Sequence, residues 1–154
     1  MNQIIAFLHL LFAAHQLPDT KAVDVLRFVI AAAQEETPDV PASLLVALGW
    51  PESRFQLDAQ PACGVMQVYP HDINRPDSDC AVWREDVRAG VHAGVVEIEM
   101  LLADRRVNRN MHRALMYRAC GNKFFDGTCD AAKAVWVDNA IARWRWLEST
   151  GIGT

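Results

Sequence analysis

The feature that most constrains this chain is a dense run of helix breakers between Leu57 and Val82, set between two stretches of helical periodicity. Pro61, Gly64, Pro70 and Pro76, together with several Asp residues, forbid a long helix there, which leaves a loop-rich region with room for short strands. Upstream, Asp19 and Thr20 can cap a helix in which Val23, Leu26, Ile30 and Ala33 recur at helical spacing, and Thr37-Pro38 ends it. Pro41 suits the first turn of a second helix, with Leu44, Leu45 and Leu48 as its buried positions, running up to Glu52. Downstream, Val87, Val91, Val95, Ile98 and Leu102 fall on one face of a helix of about five turns. A shorter helix around Arg113 to Cys120 follows. After the loop from Gly121 to Gly127 comes a last helix, capped by Asp130, that carries Trp136, Ala140, Trp144 and Leu147 on one stripe. The fold class is therefore mainly α, with a small loop or β element inserted near the middle.

Composition removes several function classes. A chain of 154 residues has the size of one compact domain, residues 1–154, able to bury a real core. With 51% hydrophobic and 22% charged residues it is neither a disordered tail nor a membrane channel. A net charge of −4, with Arg105-Arg106 as a short basic pair, argues against nucleic acid as a partner, because neutralising phosphates needs a basic face. Cys63, Cys80, Cys120 and Cys129 form no C-x-x-C pair, and no His completes a zinc spacing. An even count without metal spacing points to disulfides and an oxidising compartment, the periplasm or a virion exterior, with buried free thiols as the alternative. Proximity in sequence favours Cys63 with Cys80 and Cys120 with Cys129. The apolar segment from Ile4 to Ala14 is too short to span a bilayer, and no basic residue precedes it. It reads as a packed first helix, ahead of an export signal or a contact with a membrane surface.

The chemistry is concentrated between Ala42 and Pro70. An apolar helix delivers a carboxylate, Glu52, followed at once by Ser53, and a short loop leads to Gly64-Val65-Met66-Gln67. A carboxyl at the end of an apolar helix, facing a cleft with little water, is expected to hold a proton near neutral pH. Protonating the leaving oxygen of a glycosidic bond needs such a donor. By itself this is a weak signal, since Glu near a helix end is common.

The order of motifs is more specific. Glu52-Ser53 with Phe55, then Gly64-Val65-Met66-Gln67 with Pro70, then a long helix with Ala89-Gly90 and Gly94, then Met116-Tyr117-Arg118-Ala119-Cys120-Gly121, resembles the catalytic domain of soluble lytic transglycosylases. These belong to the goose-type lysozyme-like superfamily. The resemblance spans roughly residues 40–125 and implies a lysozyme-like fold with bacterial peptidoglycan glycan strands as partner. It implies that Glu52 is the single catalytic acid and base, that Ser53 supports the local turn, and that Gln67 hydrogen-bonds substrate. It also implies that Gly64 lets backbone approach the glycan, that Tyr69 walls the cleft, and that the Tyr117 hydroxyl sits near Glu52. Met66 is read as packing. No metal or cofactor is called for.

Three positions depart from the family pattern: Arg118 stands where an Asn is usual, Cys120 is inserted in the same motif, and Pro51 precedes Glu52 inside the helix, where it removes a donor and kinks the chain. The implied reaction is cleavage of the MurNAc–GlcNAc bond with closure of a 1,6-anhydro ring. A hydrolytic lysozyme is the nearest rival and would need a second carboxylate, for which Asp58, Asp72, Asp77 and Asp79 are candidates. A decayed, glycan-binding component of a phage particle or secretion apparatus is a third reading, favoured by Arg118. His71, His92 and His112 show no spacing for a metal or a triad, Glu97 and Glu99 read as the solvated face of their helix, and the group Trp136, Trp144 and Trp146 reads as core. The small size fits phage entry or lysis, or local wall opening beside a secretion or conjugation apparatus.

Overall fold

The structure is a computed structural model and describes residues 22–57 and 59–150. The segment from Ile4 to Ala14, the caps Asp19 and Thr20, and Asp58 lie outside the described residues. Six α-helices are found among the described residues: α1 (Ala22–Glu35), α2 (Ala42–Ser53), α3 (Asp79–Glu85), α4 (Val87–Ala103), α5 (Met111–Cys120) and α6 (Ala131–Ser149). The protein is mainly α, as the periodicity predicts. Its β content among the described residues is a single antiparallel bridge between Cys63 and Val68, inside the region of helix breakers. None of the helices among the described residues is long and apolar enough to cross a membrane.

α2 is the central element. Leu44, Leu45, Val46, Ala47, Leu48 and Gly49 are all buried, so this helix is apolar around its whole circumference and is wrapped by neighbours. α1 and α6 pack against it, α4 packs on α1, and α5 on α6. Pro41, expected in the first turn, stands one residue earlier, at the N-cap position.

The buried stripe of α1 differs from the expected one. Val23, Leu26 and Ile30 are exposed, and the core receives Val25, Phe28, Val29 and Ala32 instead. Both sets have helical spacing, so periodicity alone does not separate them. Phe28 decides it: its ring lies against Gly49 of α2, where an added Cβ would come within 2.5 Å of the ring, and it packs on Phe55 at a centroid distance of 4.8 Å.

The chain from Trp83 to Leu102 is divided between two helices. Asp86 breaks it with extended backbone and caps α4 by accepting hydrogen bonds from the Arg88 and Ala89 amides. On α4, Val91, Val95, Ile98 and Leu102 are buried as predicted. Asp130 caps α6, accepting from the Ala132 amide at 2.8 Å.

Both expected disulfides are present, Cys63–Cys80 and Cys120–Cys129. Two disulfides in a chain of this size mark an oxidising compartment.

Candidate active site

Pro51 explains how the end of α2 is held. A proline has no N–H to donate to the carbonyl four residues back, which is that of Ala47. Arg143 of α6 supplies the missing donor: its Nη1 bonds the Ala47 oxygen at 2.9 Å. Burial pushes the Arg143 guanidinium below its usual range, so it holds its charge at some cost to fill this gap. The end of α2 is thereby tied to α6, and its last turn projects Glu52 into a cleft. Beyond it, Arg54 and Phe55 both take positive φ, 52° and 62°, which turns the chain sharply away.

The loop of residues 64–67 is clamped from three sides. The Ser53 hydroxyl, buried at the end of α2, donates to the Val65 carbonyl at 2.6 Å. From below, α4 presents Gly90 and Gly94, whose missing side chains make room for Val65 and Met66; a Cβ on Gly94 would stand 2.7 Å from Met66 Cγ. Gly64 has φ +66°, and a Cβ there would meet the Trp83 carbonyl at 2.6 Å. A close approach to Trp83 by itself demands a glycine at position 64. Gln67 spans its own loop: its amide nitrogen donates to the Ala59 and Gly64 carbonyls, both at 2.9 Å, and its oxygen accepts from the Ala62 amide. Gln67 and Ser53 thus act first as struts of the loop.

The cleft itself has a volume of about 340 Å³ and is lined by Glu52, Gln67, Tyr69, Asp72, Glu97 and Arg118, with Ala119, Lys133 and Trp136 at its edge. Tyr69 is 40% exposed and stacks on His71 at 5.5 Å between ring centroids. Glu52 is 16% exposed and bonded by Arg118, whose own side chain is 7% exposed. The same guanidinium donates from Nε to Glu97 Oε2 at 2.8 Å and from Nη2 to the Met66 carbonyl at 2.7 Å. Burial and the negative charges of Glu52 and Asp72 push the Glu97 carboxyl above its ordinary range, with Arg118 working in the opposite direction. The two carboxylates hold the Arg118 guanidinium well above its usual range despite its burial.

Tyr117 does not present its hydroxyl to Glu52. It accepts a hydrogen bond from Arg106 Nη2 at 2.9 Å and lines an adjoining cleft of about 420 Å³. The two clefts share a wall made by Asp72, Glu97 and Arg118. The place expected for the tyrosine hydroxyl, against the carboxyl of Glu52, is taken by the next residue, Arg118. Of the Asp candidates, Asp72 reaches the cleft, Asp79 pairs with Arg75 at 2.6 Å, and Asp77 lines a separate hollow near Cys63 and Cys80.

Glu97 was read from sequence as a solvated helix residue and is instead largely withdrawn from solvent in the site, with a side chain 12% exposed. Its neighbour Glu99 is exposed. A signal for Glu97 was present: it lies three residues after Gly94 and seven after Gly90, on the stripe of α4 that faces the loop. Trp136, read as core, is half-buried and borders the cleft.

Against known proteins, no family model matches the chain, and neither a curated protein nor a solved structure matches it.

Proposed function

We propose that this chain is a peptidoglycan lytic transglycosylase that cleaves the β-1,4 bond between MurNAc and GlcNAc, with Glu52 as its catalytic acid and base. The observation that carries this reading is the placement of Glu52: a carboxyl at the end of a buried helix, on the wall of a cleft that also carries Tyr69 and Trp136. Aromatic faces suit the apolar faces of sugar rings, and a carboxyl among them is the proton donor that glycosidic cleavage needs. The motif order read in the sequence supports the same substrate.

In the first step Glu52 gives its proton to the bridging oxygen, the bond from C1 to that oxygen breaks, and positive charge develops on the MurNAc C1. In the second, Glu52 as carboxylate takes the proton of the C6 hydroxyl while O6 bonds to C1. The ring closes as a 1,6-anhydro sugar, the proton returns to Glu52, and no water is consumed. Arg118 stabilises the carboxylate that exists between the two steps. Opening of the bacterial wall from outside the cytoplasm, in phage entry or lysis or beside a secretion apparatus, fits a disulfide-bonded protein.

The test is digestion of purified peptidoglycan by the protein and by Glu52→Gln, with soluble products identified by mass spectrometry. The expected products are muropeptides lighter than their reducing counterparts by one water, reduced at least about 100-fold in the variant. Reducing ends would make the protein a hydrolytic lysozyme. A protein that sediments with insoluble walls and releases nothing would be a glycan-binding component, the reading that the Arg118 contact with Glu52 favours.

A further inference from the structure

The charges in the cleft do not balance on Glu52 and Arg118 alone. A guanidinium can clasp one carboxylate with two parallel N–H bonds. Here Arg118 is divided: one N–H goes to Glu52, the Nε N–H to Glu97 at 2.8 Å, and Nη2 to the Met66 carbonyl at 2.7 Å. Two carboxylates share one buried cation, and Asp72 adds a third negative group at the mouth. The charged and titratable groups around Glu97 are Arg118 of α5, Glu52 of α2 and Asp72 of the 3₁₀ turn at Pro70–Ile73, with Lys133 of α6 and Tyr69 on the same cleft. Asp104 and Tyr117 stand on the adjoining one.

We propose that Glu97 is a positioning residue for Glu52: it takes up one edge of the Arg118 guanidinium, so that Glu52 is not locked to the arginine and can carry the proton that bond cleavage requires. The proposal rests on the lytic transglycosylase reading for its consequence, but not for its geometry. A buried arginine beside a catalytic acid would otherwise hold that acid as a carboxylate, which serves the second half-step and blocks the first. The burial of Glu97 and its place on the stripe of Gly90 and Gly94 leave its side chain facing Arg118, where a merely solvated helix Glu would point away. Loss of its charge leaves the whole positive charge of Arg118 to Glu52.

Two readouts test this. In protein labelled with ¹³C-glutamate, the Glu52 carboxyl resonance, assigned with Glu52→Gln, is followed against pH in the wild type, in Glu97→Gln and in Glu97→Gln/Arg118→Asn. The midpoint for Glu52 is expected to fall by about one pH unit or more in Glu97→Gln and to return in the double variant. The alkaline limb of kcat/KM on peptidoglycan should move the same way, with KM within twofold of wild type. An unchanged Glu52 midpoint in Glu97→Gln, or a uniform loss of activity with no shift of the limb, overturns the proposal. If Glu97→Gln does not fold, the wild type still decides: the Glu52 curve must bend a second time as Glu97 takes its proton, and a single clean step is the contrary result. Wild-type protein that cleaves no walls defeats the transglycosylase reading while the resonance titration still judges the coupling.

Discussion

Ser53 follows the carboxylate in sequence and faces away from the cleft in space. Its hydroxyl is buried and donates to the Val65 carbonyl at 2.6 Å, with the Gly49 carbonyl also within reach at 3.2 Å. The residue therefore joins the end of α2, which carries Glu52, to the loop that carries Gln67. Ser53→Ala leaves the Val65 carbonyl without this donor in a buried setting, and the expected loss of stability is about 1–2 kcal/mol by urea unfolding. A variant of unchanged stability and weakened glycan binding would instead make Ser53 a direct substrate contact. Gln67 behaves alike, since both of its amide hydrogens are held by loop carbonyls. Arg118 is the opposite case: a residue whose departure from the family pattern is visible in the sequence, but whose three partners are brought together only by folding.

Among the elements, α1 and α4 are joined across their solvent edge by Glu35. Its Oε1 is bonded by Arg88 and its Oε2 lies 2.9 Å from His92 Nδ1. Burial alone would raise the Glu35 carboxyl, but hydrogen bonds from Arg88 and His92 outweigh it and hold it below the usual carboxylate range. A carboxyl lowered in the folded state contributes stability that is fully present above its ordinary range and disappears as pH falls through its folded value. Glu35→Gln is accordingly expected to be less stable than wild type at pH 7, with the gap in urea midpoint closing as pH is taken down through the acid range. A gap independent of pH would show that the side chain acts through packing rather than charge. The exposed stripe of α1 belongs to this scale as well: two sets of apolar residues have the right spacing, and the partner helix chooses between them by offering Gly49 to Phe28.

At the scale of the molecule, the two disulfides fasten two segments that contribute residues to the site. Cys63–Cys80 ties the bridge beneath the Gln67 loop to α3, and Cys120–Cys129 ties the end of α5, which bears Arg118, to the start of α6. The first closes 17 residues, for which constraint of the unfolded chain contributes about 3 kcal/mol. Cys63→Ser/Cys80→Ser should lower the unfolding free energy by about that amount and increase proteolysis between residues 57 and 82. A double variant as stable as wild type would mean that the loop is held by the Ser53 and Gln67 bonds alone.

How far the sequence reaches follows from what each property depends on. The helical fold class, the long α4, the loop-rich insert, the caps at Asp130 and the pairing of neighbouring cysteines are local: periodicity, proline chemistry and short separation determine them without reference to the rest of the chain. Glu52 and Gly64 were singled out by the order of motifs that resembles soluble lytic transglycosylases, the end of an apolar helix being by itself a weak signal for Glu52. Tertiary structure alone decided which stripe of α1 is buried, that Gly64 yields to Trp83, that Arg143 satisfies the carbonyl freed by Pro51, and that Glu97 turns inward. Each of these depends on a partner distant in sequence, and charge makes the point sharpest. A glutamate on a helix faces water unless something repays its desolvation, and the arginine that does so for Glu97 lies 21 residues away on another helix.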